Sequence, residues 1–504
     1  MKNRIIPATM ATQHPDNANG PFWEKGDGFV SVSEEPEECV VCLRDLDVQE
    51  YMWDWEGKYA DEAVIEKLFS NHYKYFRKNL LGKDKFLTFR LPNVWKEKGY
   101  SLIRALMVIL TSEDFAHDLA FKSRPLFEAI LPMTEKAEQL MYIQKSFQKL
   151  ARFKAKVFSH STNSNTDYVE IIPLIEGVED QIHVKTLLSR YIALHEKFFH
   201  RKPAYLRPFL ARSDPALNSG FVPNVLANKI ALSDIYEFGK KSGVHMHPII
   251  GAGSLIFRGG VSPARSEKFV REYGGVRTVT VQSGFRYDYP LHQVKKAINY
   301  FNKALPKSRV QKVEKKDYPV LLKIIETFSK AYHSTLAELL EDMNPFFQAV
   351  PKRRERRQHV GFLAYQRHMG KSSLPRAINF TAAWYSLGVP PEFIGLGRSL
   401  KSLDKNEIEI LKKYYIHFKD DVEEAGRYIN RENIRMLGKT NGKWQAIMED
   451  IELAGEFLGV RFGPKSNKEM LHRSLSFQLL LQRKNRAEMS RLITETGKLR
   501  RSLG

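Results

Sequence analysis

Cysteine is nearly absent from this sequence: Cys39 and Cys42 are the only two in 504 residues. That excludes a disulfide framework, and nothing points to an oxidising compartment. Long apolar runs are missing as well. No stretch approaches the roughly 18 uncharged apolar residues of a membrane helix. The N-terminal MKNRIIPATMATQHPDN holds no apolar run of signal-peptide length. A cytoplasmic protein with no membrane partner is expected. There is no internal repeat, no low-complexity linker and no Gly-rich dinucleotide fingerprint after the first strand-like segment.

What is present is a globular composition, with 43% hydrophobic, 12% aromatic and 27% charged residues. These values exclude disordered, collagen-like and coiled-coil chains. The formal net charge is +21, and it is unevenly spread: residues 291–504 hold 40 basic against 23 acidic side chains, and residues 1–290 hold 39 against 35. A basic excess of this kind serves either a nucleic-acid surface or a site for small anions.

Up to about residue 290, short β-rich runs alternate with stretches of helical period, the pattern of βα units around a parallel sheet. Strands are expected at 5–10, 38–42, 86–91, 125–131, 168–175, 204–210, 244–250 and 276–282. Eight units in this length match a closed (β/α)8 TIM-type barrel. After Pro290 long amphipathic segments take over, such as 318–342, 405–418 and 467–496. The expected fold is therefore an α/β barrel over 1–290, with a large C-terminal α-helical region over 291–504 packed on it and completing the site.

In such a barrel the loops after the strands converge on one mouth. The first strand leads to His14 in Ala11-Thr12-Gln13-His14-Pro15-Asp16-Asn17, the third to Arg90, the fifth to Glu176 and the sixth to Asp214 in Arg212-Ser213-Asp214-Pro215. The seventh feeds the Gly-rich loop 251–260 with Arg258, Gly259 and Gly260, and the eighth delivers Arg286. Two carboxylates on consecutive strand ends suit a divalent ion such as Mg²⁺, which takes one or two protein carboxylates and completes its shell with water and substrate oxygens. Arg90 stands between apolar neighbours, where an anion or carboxylate should meet it. Cys39 and Cys42, read as strand residues three apart, face opposite sides and belong to the core. The inventory describes a site for a phosphorylated or multiply carboxylated small anion.

Five segments give the reading a family. They are Met10–Asn17, Arg212–Gly220, Phe257–Gly260, Gly284–Tyr287 and Pro351–Arg357. Together they make the sequence resemble the short-form, archaeal-type phosphoenolpyruvate carboxylases. The resemblance implies carboxylation of phosphoenolpyruvate with bicarbonate to oxaloacetate and phosphate, through carboxyphosphate and an enolate. It implies His14 and Arg258 at the reaction centre, and Mg²⁺ or Mn²⁺ on Glu176 and Asp214. Arg90, Arg258, Gly259, Gly260, Arg286 and Arg376 would bind the anions, and the assembly would be a homotetramer. One departure stands out: the long form has Lys three residues after its metal-binding Asp, where this chain has Leu217. Loop 251–260 is expected to act as a lid.

Two other classes compete. His245 and His247 lie two apart on one strand face, half of a zinc site for a barrel hydrolase. The basic run 351–357 suits nucleic acid, although the nearest aromatics, Phe362 and Tyr365, read as helix-packing residues and no nucleic-acid partner is expected.

Overall fold

The computed structural model describes residues 4–24, 26, 28–97, 99–158, 166–355, 367–369 and 372–504. Eight parallel strands close into a barrel: β1 (Thr9–Thr12), β2 (Glu50–Asp54), β3 (Phe86–Arg90), β4 (Glu128–Leu131), β5 (Glu170–Ile175), β6 (Phe209–Ala211), β7 (Ile249–Gly251) and β8 (Thr278–Val281). The order is sequential, with β8 closing on β1 through Thr9–Val279 and Ala11–Val281. Side chains alternate as the pleat requires. Met10, Met52, Ile130, Ile172, Leu174, Phe209, Ala211 and Ile249 fill the barrel, while their neighbours Ala11, Tyr51, Trp53, Ile171 and Ile175 face the surrounding helices.

Segment 38–42 is not a strand. It lies in the helix Glu35–Arg44, which has Pro36 in its first turn, acidic Glu35, Glu37 and Glu38 beside it, and Arg44 in its last turn. That is the charge and proline placement a helix favours. The second strand is Glu50–Asp54 instead, in a stretch where no strand is expected from sequence. Cys39 and Cys42 therefore share a helix face, and both are fully buried. Burial pushes the Cys42 thiol up to about 12.

The second half is helical, including Tyr318–Ala337, Leu340–Ala349, Ala377–Ser386, Lys405–Tyr414, Asn467–Leu481 and Arg486–Arg500. It packs directly on the barrel, and one contiguous apolar core takes in residues from Ala8 to Leu503. Phe380 stacks on Phe257 at 5.6 Å between ring centres. Tyr332 donates its hydroxyl to the carbonyl of Leu217 at 2.9 Å, and Arg265 forms ion pairs with Asp421 and Glu424.

Candidate active site at the barrel mouth

The C-terminal ends of the strands carry His14, Arg90, Glu176, Asp214 and Arg258 to one rim. His14 is half-buried just past β1, with Nδ1 2.9 Å from Thr12 Oγ1. Its carbonyl accepts from Asp16 N at 3.1 Å and from Ser283 N at 3.3 Å, which ties the loop to the end of β8. Asp288 holds the far side of this loop, accepting from Ala18 N and Asn19 N at 2.7 Å each. Burial pushes the Asp288 carboxyl up to about 7 against these bonds.

Arg258 is 1% exposed. Its guanidinium donates to Asp16 Oδ2 at 3.2 Å, Gln282 Oε1 at 2.6 Å, Ser213 Oγ at 3.1 Å and the Gly504 carbonyl at 2.6 Å. The side chain lies flat on Gly253, where a Cβ would come within 2.7 Å of the Arg258 Cζ. Glycine is thus needed at 253 for close approach, and Gly259 and Gly260 are needed for their φ of 116° and 66°. Burial pulls the Arg258 cation below the usual arginine value, and Asp16 and Asp214 only partly oppose this. The loop itself is cross-bonded, Gly253 N to Arg258 O at 2.8 Å and Val261 N to Gly253 O at 2.9 Å, and nearly all of it is buried. That is the build of a cradle packed closed over the strand ends.

Glu176 follows β5 directly and accepts from Met133 N at 2.8 Å. Asp214 sits in the first turn of the helix Ser213–Ser219, three residues past β6. The two strands pair at Ile175–Leu210, so both carboxylates leave from neighbouring strand ends. Glu176 adds to the charge that stabilises the Arg90 cation, and Asp214 does the same for Arg258. The donors are hard carboxylate oxygens without thiol or imidazole, a set that fits Mg²⁺ or Mn²⁺ with water completing the shell. Among the described residues no group of three or more His, Cys, Asp or Glu could hold a metal, so a cation here would rest on the pair and on substrate.

Arg90 is met by carboxylates: Nε and Nη2 reach Asp54 at 2.9 and 2.6 Å, and Nη1 lies 2.8 Å from Glu56. Arg376 is exposed at the start of the helix Ala377–Ser386, with its Nη2 3.0 Å from where a Gly57 Cβ would stand. It joins the Arg90–Glu56 side of the rim. Arg286 is different. Its Nη donors are committed to Glu38 at 2.8 Å, Thr12 O at 2.9 Å and Val281 O at 2.6 Å, inside the wall between the barrel and the helix Glu35–Arg44. Leu217 is fully buried.

Residues not singled out by sequence complete the arrangement. Asp16 lies in the His14 motif and Gln282 two residues before Gly284, so both were within reach of a motif reading. Asp54 and Glu56, which meet Arg90, carry no motif signal.

The competing sites separate from this rim. His245 belongs to a two-residue strand paired with Tyr205–Leu206, at the opposite end of its βα unit. Burial, together with Arg207, Arg277 and Arg4, pulls His247 down to about 4, and among the described residues no group of three or more His, Cys, Asp or Glu gathers there to hold a zinc ion. In the basic run, Arg354 is buried against Glu35 and Glu38, and Arg353 donates to the Ala18 carbonyl at 2.7 Å. These arginines staple the chain to the barrel and are not a solvated nucleic-acid face. Arg356, Arg357, Phe362 and Tyr365 lie outside the described residues.

A closed parallel barrel with acids and arginines gathered at the carboxyl ends of its strands defines an enzyme of the TIM-barrel architecture that handles small anions. A family model described as phosphoenolpyruvate carboxylase matches residues 6–504. Curated relatives named phosphoenolpyruvate carboxylase include that of Leuconostoc mesenteroides, 46% identical with all of both chains covered. That of Oenococcus oeni is 45% identical over 95% of each chain, and that of Metallosphaera sedula is 36% identical over 99% of this chain and 100% of its own. The chain belongs to the phosphoenolpyruvate carboxylase family, in its archaeal-type branch.

Proposed function

We propose that this mouth carboxylates phosphoenolpyruvate with bicarbonate, giving oxaloacetate and inorganic phosphate, the reaction of the family to which the chain belongs. The observation that carries the proposal is the gathering at one rim of Arg258, a buried guanidinium held by Asp16, Gln282 and Ser213, with Glu176, Asp214 and His14. A substrate with phosphate and carboxylate groups suits a rim that combines arginines with a carboxylate pair able to take a divalent ion.

Bicarbonate oxygen attacks phosphorus, the bond to the enol oxygen breaks, and carboxyphosphate and the pyruvate enolate result. Arg258, fixed by Asp16, Gln282 and Ser213, holds the transferred phosphoryl group as its charge shifts. Exposed Arg376 faces the same rim and binds a remaining anionic group, with Arg90, held by Asp54 and Glu56, adding its charge from behind. His14 takes the proton of carboxyphosphate, which then breaks into carbon dioxide and phosphate. The enolate carbon closes on carbon dioxide to form oxaloacetate. Glu176 and Asp214 would hold Mg²⁺ or Mn²⁺, which supplies charge neutralisation at the phosphate and at the enolate oxygen when bound. The buried 251–260 cradle keeps water from the enolate, whose protonation would waste it as pyruvate.

We read the protein as cytoplasmic and homotetrameric. No helix among the described residues is long and apolar enough to cross a membrane. Exposed Met470, Leu471 and Leu481 offer apolar surface that assembly would cover.

A coupled assay with malate dehydrogenase tests the activity: NADH loss should require phosphoenolpyruvate, bicarbonate and Mg²⁺ together. No loss with all three present overturns the proposal. His14→Asn should abolish oxaloacetate formation, by about 10²–10⁴-fold, while Mn²⁺ still binds. Oxaloacetate at the parent rate would remove His14 from the chemistry.

A further inference from the structure

Just below the rim, Gln181 lies in the short helix Val178–Ile182 and is fully buried. Its Nε2 donates to two backbone carbonyls at once, Ile175 O at 3.2 Å and Ala211 O at 2.8 Å. Ile175 is the last residue of β5 and Ala211 the last of β6. The next residue after Ile175 is Glu176, and the third after Ala211 is Asp214. One side-chain amide therefore links the two strand ends that carry the carboxylates, at the point where the β5–β6 ladder gives way to loops.

The amide is itself held in one orientation. Its Oε1 accepts from Asn228 Nδ2 at 2.6 Å and from Asn224 Nδ2 at 3.3 Å, both on the long helix Phe221–Ser242. Asn224 also accepts from the Arg212 guanidinium and donates to Ala211 O at 3.4 Å. With two donors on its oxygen, Gln181 turns its NH₂ toward the strands. Three buried amides carry a desolvation cost that these hydrogen bonds offset only in part, since the Asn228 Oδ1 has no partner among the described residues. Their bonds converge on the strand ends behind Glu176 and Asp214, and so fix where those ends stand.

We propose that Gln181, oriented by Asn224 and Asn228, is a positioning residue that sets the spacing of Glu176 and Asp214 and through it the affinity of the mouth for a divalent cation. This inference rests on the reading that those two carboxylates hold the cation. Outer groups that orient metal ligands commonly govern affinity in this way.

The test measures Mn²⁺ binding by electron paramagnetic resonance titration of the full-length protein without substrate, a readout that needs no turnover. Gln181→Met keeps the chain length and removes the donors; it should weaken Mn²⁺ binding about tenfold or more. Asn433→Leu is the structural control. Asn433 is equally buried and also bridges two carbonyls, Leu387 O at 2.7 Å and Ser476 O at 2.9 Å, within the helical region. It should lower the melting temperature and keep parent Mn²⁺ affinity. Parent-like binding by Gln181→Met overturns the inference, and so does an equal loss in Asn433→Leu, which would mean general loosening. Should the methionine variant not fold, Gln181→Asn, one methylene too short to reach both carbonyls, takes its place with the same expectation. Glu176→Gln and Asp214→Asn separate the two levels. If both bind Mn²⁺ as the parent does, the carboxylate reading falls; if both lose it while Gln181→Met does not, only the role of Gln181 falls.

Discussion

At the bottom of the barrel Arg207 lies between Glu50 and Glu128, and at the mouth Arg258 lies beside Asp16; both guanidiniums are almost completely buried. Arg207 donates to Glu50 at 2.9 and 2.6 Å and to Glu128 at 2.7 Å, and Thr278 takes a further bond at 3.0 Å. Burial pulls this cation down, but the two carboxylates outweigh it and hold Arg207 above the usual arginine value. At Arg258 burial wins over Asp16 and Asp214. The same side chain at the same depth is thus outweighed by carboxylates at one end and by burial at the other. The paired charges at the bottom close the barrel, whereas Arg258 stands among the strand-end loops that converge at the mouth.

The largest effect should come from breaking the plug. Arg207→Met strands Glu50 without a cation, while Glu128 keeps its pair with Arg4, and the cost should be about 3–5 kcal/mol of unfolding free energy, read by chemical denaturation. The KM for phosphoenolpyruvate of the folded fraction should not change. Next, Arg258→Gln should lower kcat by about 10²–10³-fold while losing less stability than Arg207→Met. If the stability and rate losses fall on the opposite variants, the contrast between the ends is wrong.

The smallest effect is a pH slope. Glu170, at the bottom of β5, is pushed by burial from 4.5 up to about 7, with Tyr168 opposing at 3.0 Å. The folded protein holds this proton where the unfolded chain has lost it. Stability is therefore full below about pH 4.5 and declines as pH rises through about 7, by up to about 3 kcal/mol for a change of that size. Asp288 and Glu392, also pushed up to about 7 by burial, act in the same direction. Glu170→Gln should flatten the melting-temperature profile between pH 5 and 8 by one proton's share and be more stable than the parent at pH 8. An unchanged slope would show that Glu170 is not part of the neutralised bottom.

The barrel was legible because its strands obey a period of two: Ile172 and Leu174 point inward while Ile171 and Ile175 point outward, a signal that survives in the bare sequence. ECVVC failed because five apolar-rich residues fit a buried helix as well as a buried strand; Pro36 and the acids before it were the arbitrating signal. EYMWD was hidden by its own ends, since Glu50 serves the bottom plug and Asp54 pairs with Arg90. Rim positions followed from the strand ends, so His14, Glu176, Asp214 and Arg258 could be named in advance. Their partners could not. The Asp16–Arg258 bond spans 242 positions, and Gln181 acts on carbonyls, which every residue has and no motif marks.

The mouth also depends on residues far along the chain. Leu503 N donates to the Asp16 carbonyl at 2.7 Å, and Ser502 Oγ bonds the same oxygen at 3.1 Å across 486 positions. The loop after the first strand is thus finished by residues synthesised almost five hundred steps later. Contacts of this range are slow to form because a long loop must close before they reward it. During synthesis, all eight strands can have left the ribosome before Ser502 and Leu503 exist to bond Asp16. The loop that carries His14 takes its final form only when the helical half folds back onto the barrel.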